Sequence, residues 1–199
     1  MESNHEIASE TRQQKRTLAL VLTLNVLLAM ALAVGGVFAD SSGLIANALD
    51  NASDAAVYGI SLFAIGRAPA WKSGAAAISG VLLIVFAFGV LADTARRYFE
   101  GSHPIGPAMI GFAIVAAIIN LICLRLLTKL RSNDVNVAAA RTFSFNDFVS
   151  NGGILVSGVL VLWLGQRWPD LVAGLAVTAI ALKGGVAILR DAWKVRKRA

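Results

Sequence analysis

The chain has 199 residues, of which 57% are hydrophobic and only 15% charged, with a mean hydropathy of +0.69; soluble domains carry about a quarter charged residues, so an ordinary soluble fold is excluded. Its net charge of +6 comes without a Lys/Arg face interleaved with aromatics, which argues against nucleic acid as a partner. The single cysteine, Cys123, excludes an intrachain disulfide or a thiolate metal site.

Taken in order, a polar N-terminal tail (1–16) reads as disordered or interfacial. Six apolar stretches follow, each long enough to cross ~30 Å of hydrocarbon with about 20 residues. They are Thr17–Phe38, Ser42–Gly66, Ser73–Thr94, Ile105–Leu127, Ala138–Leu164 and Leu171–Leu189. The first ends in VFA before Asp40, which imitates a signal cleavage site, but its core exceeds the roughly 7–15 residues of a signal h-region. The expected fold class is an all-α integral membrane protein, a six-transmembrane-helix bundle with short connections. The expected organisation is a tail at 1–16, a membrane domain at 17–191 and a basic tail at 192–199.

Orientation follows from charge. With both termini in the cytoplasm, only Arg96, Arg97 and Arg167 of the 18 Lys and Arg lie outside, the asymmetry the positive-inside rule demands. Lys183, within the sixth stretch, is expected to snorkel to the inner surface. The tail KVRKRA then sits against anionic lipid.

The second stretch contains NALDNASD, residues 47–54, with two aspartates inside an otherwise membrane-like run. Asp50 and Asp54 are four apart, so they stack on one helix face. At ~100° per residue from Asp50, Asp54 falls near 40°, Asn47 near 60°, Asn51 near 100°, Tyr58 near 80° and Ser61 near 20°. Only Ser53 among the polar residues lies clearly outside this stripe. The two acids sit roughly 12 and 18 Å below the outer surface. Each costs about 2.5–3.5 kcal/mol to insert, and the pair repels when ionised. No Lys or Arg is expected at that depth in another span, so the offsetting charge is a metal ion or protons. The alternative, protonated acids hydrogen-bonded between helices, assigns a role that usually falls to Ser, Thr or Asn.

A second constellation, SFNDFVSNGG at 144–153, puts Ser144, Asp147 and Asn151 on one face of the fifth stretch. Two helices with acid stripes can close a site between them. Three carboxylates with Asn, Ser or water oxygens suit a divalent cation. Oxygen donors lean toward harder ions, with geometry also deciding selectivity. Asp147 alternatively starts a helix and faces water. Small residues (Gly35, Gly36, Ala46, Gly59, Gly152, Gly153, Gly158) are expected to let helices approach closely. Other polar residues read plainly. His5 is a solvated tail residue, His103 lies in an outer loop, and Asp93 pairs with Arg96 and Arg97. Asn25 and Asn120 are expected to hydrogen-bond between helices, and Cys123 to act as a small apolar residue.

SSGLIANALDNASDAAVYGISLFAIG resembles the second membrane helix of cation diffusion facilitators, which carry an acid or His, three residues, then Asp. SFNDFVSNGGILVSGVLVLW resembles their fifth helix and WPDLVAGLAVTAIALKGGVAILRDAW their sixth. The resemblance covers nearly the whole chain. It implies a six-helix bundle, usually dimeric, that exports divalent metal in exchange for protons. It also implies that Asp50 and Asp54 are metal ligands, with Asp147 as the second ligand of the fifth helix. Three departures stand out. Phe143 occupies the first fifth-helix ligand position, where His or Asp is usual, unless the register shifts to make Asp147 first and Asn151 second. Asn47 stands where many relatives have Asp. The expected chain is a short form without the family's cytoplasmic C-terminal domain, and its loop between the fourth and fifth spans has no histidine.

These observations lead to an expected secondary transporter, not an enzyme, with no cofactor. Its substrates are protons and a divalent cation, with zinc first and cobalt, cadmium, manganese or iron as further candidates. Asp50, Asp54 and Asp147 hold the ion, with Asn47, Ser144 and Asn151 as auxiliary residues. A homodimer through membrane helices in a bacterial inner membrane is expected. The alternatives are a proton-coupled carrier of another solute and a non-transporting scaffold derived from an exporter.

Overall fold

A computed structural model describes residues 2–64, 69–130 and 135–198. Side chains are described outside 2–11, 61, 63–64, 69–73, 75–76, 79, 135–143, 191 and 195–198. Six helices make up the described fold: α1 (Glu2–Phe38), α2 (Ser42–Ala64), α3 (Pro69–Glu100), α4 (Gly106–Lys129), α5 (Val135–Leu164) and α6 (Trp168–Arg198). Among the described residues, four segments are long and apolar enough to cross a membrane: Arg12–Phe38, Gly106–Lys129, Ser144–Leu164 and Trp168–Lys194. In α2 the Asn/Asp stripe dilutes the apolar residues.

Three helices run longer than their apolar cores. α1 continues back to Glu2, so of the two expectations for the tail, disordered or interfacial, the disordered one is corrected. The tail is built largely of Glu, Gln, Lys, Arg and Ala with no Gly or Pro, so nothing stops the helix. α3 extends past Thr94 because Asp93 bonds Arg96 at 2.7 Å and Arg97 at 2.6 Å, one turn along the same face. It stops at Gly101, whose φ of 101° suits a residue without Cβ. α6 carries the basic C-terminal residues as helix to Arg198.

α1 with α2, α3 with α6, and α4 with α5 form the most extensive pairs, and α2 touches every other helix. This central position explains how α2 tolerates acids: its polar face meets protein, not lipid. Lipid-type side chains instead face outward, among them Val34, Phe88, Leu162 and Trp163. Two apolar clusters pack the interior. One, with Leu32, Leu44, Met109 and Ile154, fills the end where α2 begins. The other, with Leu18, Val21, Tyr58, Cys123 and Leu127, fills the opposite end, and Cys123 is buried there as expected.

Small residues behave unevenly. Gly158 meets α4 at Gly106, with 3.3 Å from its virtual Cβ to the Gly106 carbonyl oxygen, as close packing requires. Gly59, Gly152 and Gly153 face open space, so the expectation of tight packing there is corrected.

Candidate metal-transport site

The stripes of α2 and α5 meet. Asp50, Asp54 and Asp147 are buried, at 8%, 6% and 2% exposure, and line one cavity of about 610 Å³. Asp50 and Asp147 interact side chain to side chain across the two helices. One oxygen of each, Oδ2, is buried with no N–H or O–H donor among the described residues. Two carboxyl groups can share a hydrogen bond only if one of them carries a proton. Asp54 points its Oδ2 at the Tyr58 hydroxyl, which donates at 3.2 Å. That hydroxyl lies 3.4 Å from Ser144 Oγ, tying α2 to α5 one turn beyond the acids. As placed, no group of three His, Cys, Asp or Glu side chains among the described residues forms a ready ion cage. Binding a cation would draw the carboxylates together.

The auxiliary residues separate into two groups. Ser144 joins the acids through Tyr58. Asn47 and Asn151 instead bond each other, Asn47 Nδ2 donating to Asn151 Oδ1 at 2.6 Å. Asn151 Nδ2 donates to the Asp147 carbonyl at 2.8 Å, and Asn51 Nδ2 donates to Asn47 O and Oδ1 at 2.9 and 3.2 Å. This amide ladder holds the two helices in register beside the carboxylates. The side chains of Ser61 and Phe143 lie outside the described ones.

Several cavity residues escape a reading of the stripe alone. Ser53, set apart from the stripe by its rotation, and Ser150 both line the cavity. So does Lys183 of α6, the residue expected to snorkel to the inner surface. Its α6 face turns toward the α2–α5 seam, while its side chain is exposed and makes no ion pair with the acids among the described residues. A unit charge on the order of 10 Å from a bound cation repels it by on the order of 1 kcal/mol at intermediate dielectric. Lys183→Met is therefore expected to tighten divalent-cation binding about fivefold in calorimetry; an unchanged affinity would mean that the ammonium stays out of the cavity's field.

Asn25 and Asn120 correct another expectation. Asn25 Nδ2 bonds its own helix at Val21 O, 2.9 Å away, and its Oδ1 has no partner among the described residues. Neither polar atom of Asn120 makes a hydrogen bond to the described residues, although the side chain is buried. The α1–α4 contact brings apolar and small residues together instead, such as Gly35 and Phe112. Asp93 does pair with Arg96 and Arg97, as expected, and Arg97 also pairs with Asp40.

Known proteins share this plan. The cation efflux transmembrane domain model matches residues 18–195. The chain is 28% identical over 195 residues to the metal cation efflux system protein CzcD of Cupriavidus metallidurans, covering 92% of this chain and 60% of that one. It is 24% identical to the zinc transporter ZitB of Yersinia pestis, covering 96% of this chain and 63% of the relative. A cadmium, cobalt and zinc/H(+)-K(+) antiporter of Bacillus velezensis is 21% identical, over 98% and 66% of the two chains. The chain thus spans 60–66% of the length of these relatives. With six packed helices, an acid-lined interior and a family match across nearly its whole length, the chain belongs to the cation efflux family, the cation diffusion facilitators, as a multi-pass membrane protein.

Proposed function

We propose that the protein exports divalent metal cations from the cytoplasm in exchange for protons, with zinc the first candidate and cobalt, cadmium, manganese and iron(II) able to use the same oxygens. One observation carries this reading: Asp50, Asp54 and Asp147, from two helices, line a single buried cavity. Such acids are costly in a membrane interior and mark ion pathways. The relatives' printed names, efflux of metal cations and zinc transport, support the same class of substrate.

In this reading the ion enters from the cytoplasm and displaces protons held between the carboxyls. The bundle then opens outward, and protons compete for the same oxygens and release the ion, because only deprotonated ligands bind metal. Both termini lie in the cytoplasm of a bacterial-type cell, supported by the charge asymmetry and the bacterial relatives. A homodimer would use the outward apolar faces.

The cavity is larger than a bare ion requires, which favours a second reading, a proton-coupled carrier of another small solute. Heating the detergent-purified protein with zinc, cobalt, cadmium, manganese or iron(II) separates them. A metal site predicts protection of about 2.7 kcal/mol at a hundredfold excess over Kd. Protection by none of the five would favour the other carrier. Proton exchange has its own test. Metal uptake into inverted vesicles is expected to collapse when a protonophore removes the gradient, and uptake that continues unchanged would contradict the exchange.

A further inference from the structure

The end of the bundle where α2 and α6 begin is held by contacts that the carboxylate site does not use. Asp170 of α6 is fully buried. Its carboxylate accepts three hydrogen bonds from the start of α2, from Ser41 Oγ–H at 2.5 Å, Ser42 N–H at 2.7 Å and Gly43 N–H at 3.0 Å. Ser41 Oγ in turn accepts from Leu44 N–H at 3.1 Å. The free N–H groups of a helix start are commonly capped by that helix's own N-cap residue. Here Ser41 does so in part, and a second helix supplies the rest. The backbones nearly touch: a Cβ on Gly174 would lie 2.9 Å from the Ser42 carbonyl carbon. The preceding turn is gripped by the partner of α6, since Arg97 of α3 pairs with Asp40, and the Arg97 charge also acts on Asp170.

The carboxylate cavity extends the other way. Along α6 it is lined from Ile180 and Ala181 through Lys183 and Gly184 to Ala187 and Ile188. From Asp170 to Ile180, the nearest of these, is roughly 15 Å of helix rise, and to Ile188 roughly 27 Å. The acids' cavity thus runs along α6 away from the Asp170 clasp, which joins α2 to α6 at the opposite end of the bundle.

We propose that Asp170 is the positioning residue of an outer gate: its clasp on residues 41–43 of α2 closes while the site faces the cytoplasm and parts when α6 moves off α2 to release the ion. This rests on the export reading above. A carboxylate suits the task. Its two oxygens engage three donors at once, and near the membrane surface water can replace those bonds when the clasp opens, so opening leaves no buried group unpaired.

The test uses the full chain carrying Cys123→Ser, Gly43→Cys and Ala173→Cys. An ideal Cβ at Gly43 lies 3.5 Å from the Ala173 Cβ, at the short edge of the disulfide range of about 3.5–4.5 Å. Oxidised protein is expected to lose zinc transport in vesicles, to regain it on reduction and to keep its thermal protection by zinc throughout. Cross-linked protein that transports as fast as its reduced form overturns the gate. Should the reduced variant not transport while the parent chain does, the decision passes to Asp170→Asn with Ala46→Cys and Cys123→Ser. Ala46 is fully buried, just below the clasp. An amide nitrogen cannot accept, so the clasp weakens. Labelling of the thiol introduced at position 46 by an impermeant reagent from outside should then speed up about tenfold, with zinc protection retained. Unchanged labelling rejects the gate. A parent chain that neither binds nor moves zinc, cobalt, cadmium, manganese or iron(II) would instead overturn the export reading.

Discussion

Asp50→Asn and Asp54→Asn, made singly, are expected to abolish metal transport while the protein still inserts and folds. The loss should be about a hundredfold or more, since even groups that merely orient metal ligands are typically worth 10–100-fold. Asparagine keeps the shape of aspartate and removes its charge, so packing is preserved. At position 54 the amide oxygen can still accept the Tyr58 hydroxyl, which now donates to Asp54 Oδ2 at 3.2 Å. At position 50 the substitution removes an acid whose Oδ2 is buried without a donor among the described residues, so melting temperature should hold or rise. Uptake by vesicles and thermal melting read the two effects separately. Wild-type uptake by either variant would sink the assignment of the acids to the ion.

Phe143→His is expected to tighten zinc binding about tenfold or more, with a smaller change for manganese. Phe143 lies one turn before Asp147 in α5, at the position where the family resemblance implies a ligand. An imidazole there adds a nitrogen donor to a site whose other groups are oxygens, and zinc gains more from nitrogen than manganese does. Release outward should slow, because a tighter site empties less readily. Calorimetry of both forms in one detergent decides. Unchanged zinc affinity with a lower melting temperature would show that position 143 faces packing and turn attention to Asn151. That residue would first have to give up its bonds to Asn47 and to the Asp147 carbonyl, at 2.6 and 2.8 Å.

The class, the six helices and the two acid stripes are legible in the residues alone. These are local properties: apolar length sets a membrane helix, and spacing of four places Asp50 beside Asp54 whatever the rest of the chain does. Even the added turns of α3 were present in the spacing of Asp93, Arg96 and Arg97. Which face meets which neighbour emerges only from the packed bundle. Rotation about one helix axis sets Ser53 apart from the stripe, yet α6 packs against that side, so Ser53 and Lys183 share the acids' cavity. Asn47 and Asn151 look like spare ligands in sequence and bond each other in space, while Asn120 finds no partner among the described residues. Asp170 takes its role only because α6 crosses α2 and carries it onto residues 41–43, 127–129 positions earlier in the chain. Such pairings depend on where helices cross and how they are turned, and those are fixed by the packing of all six around α2, not by the periodicity of any one.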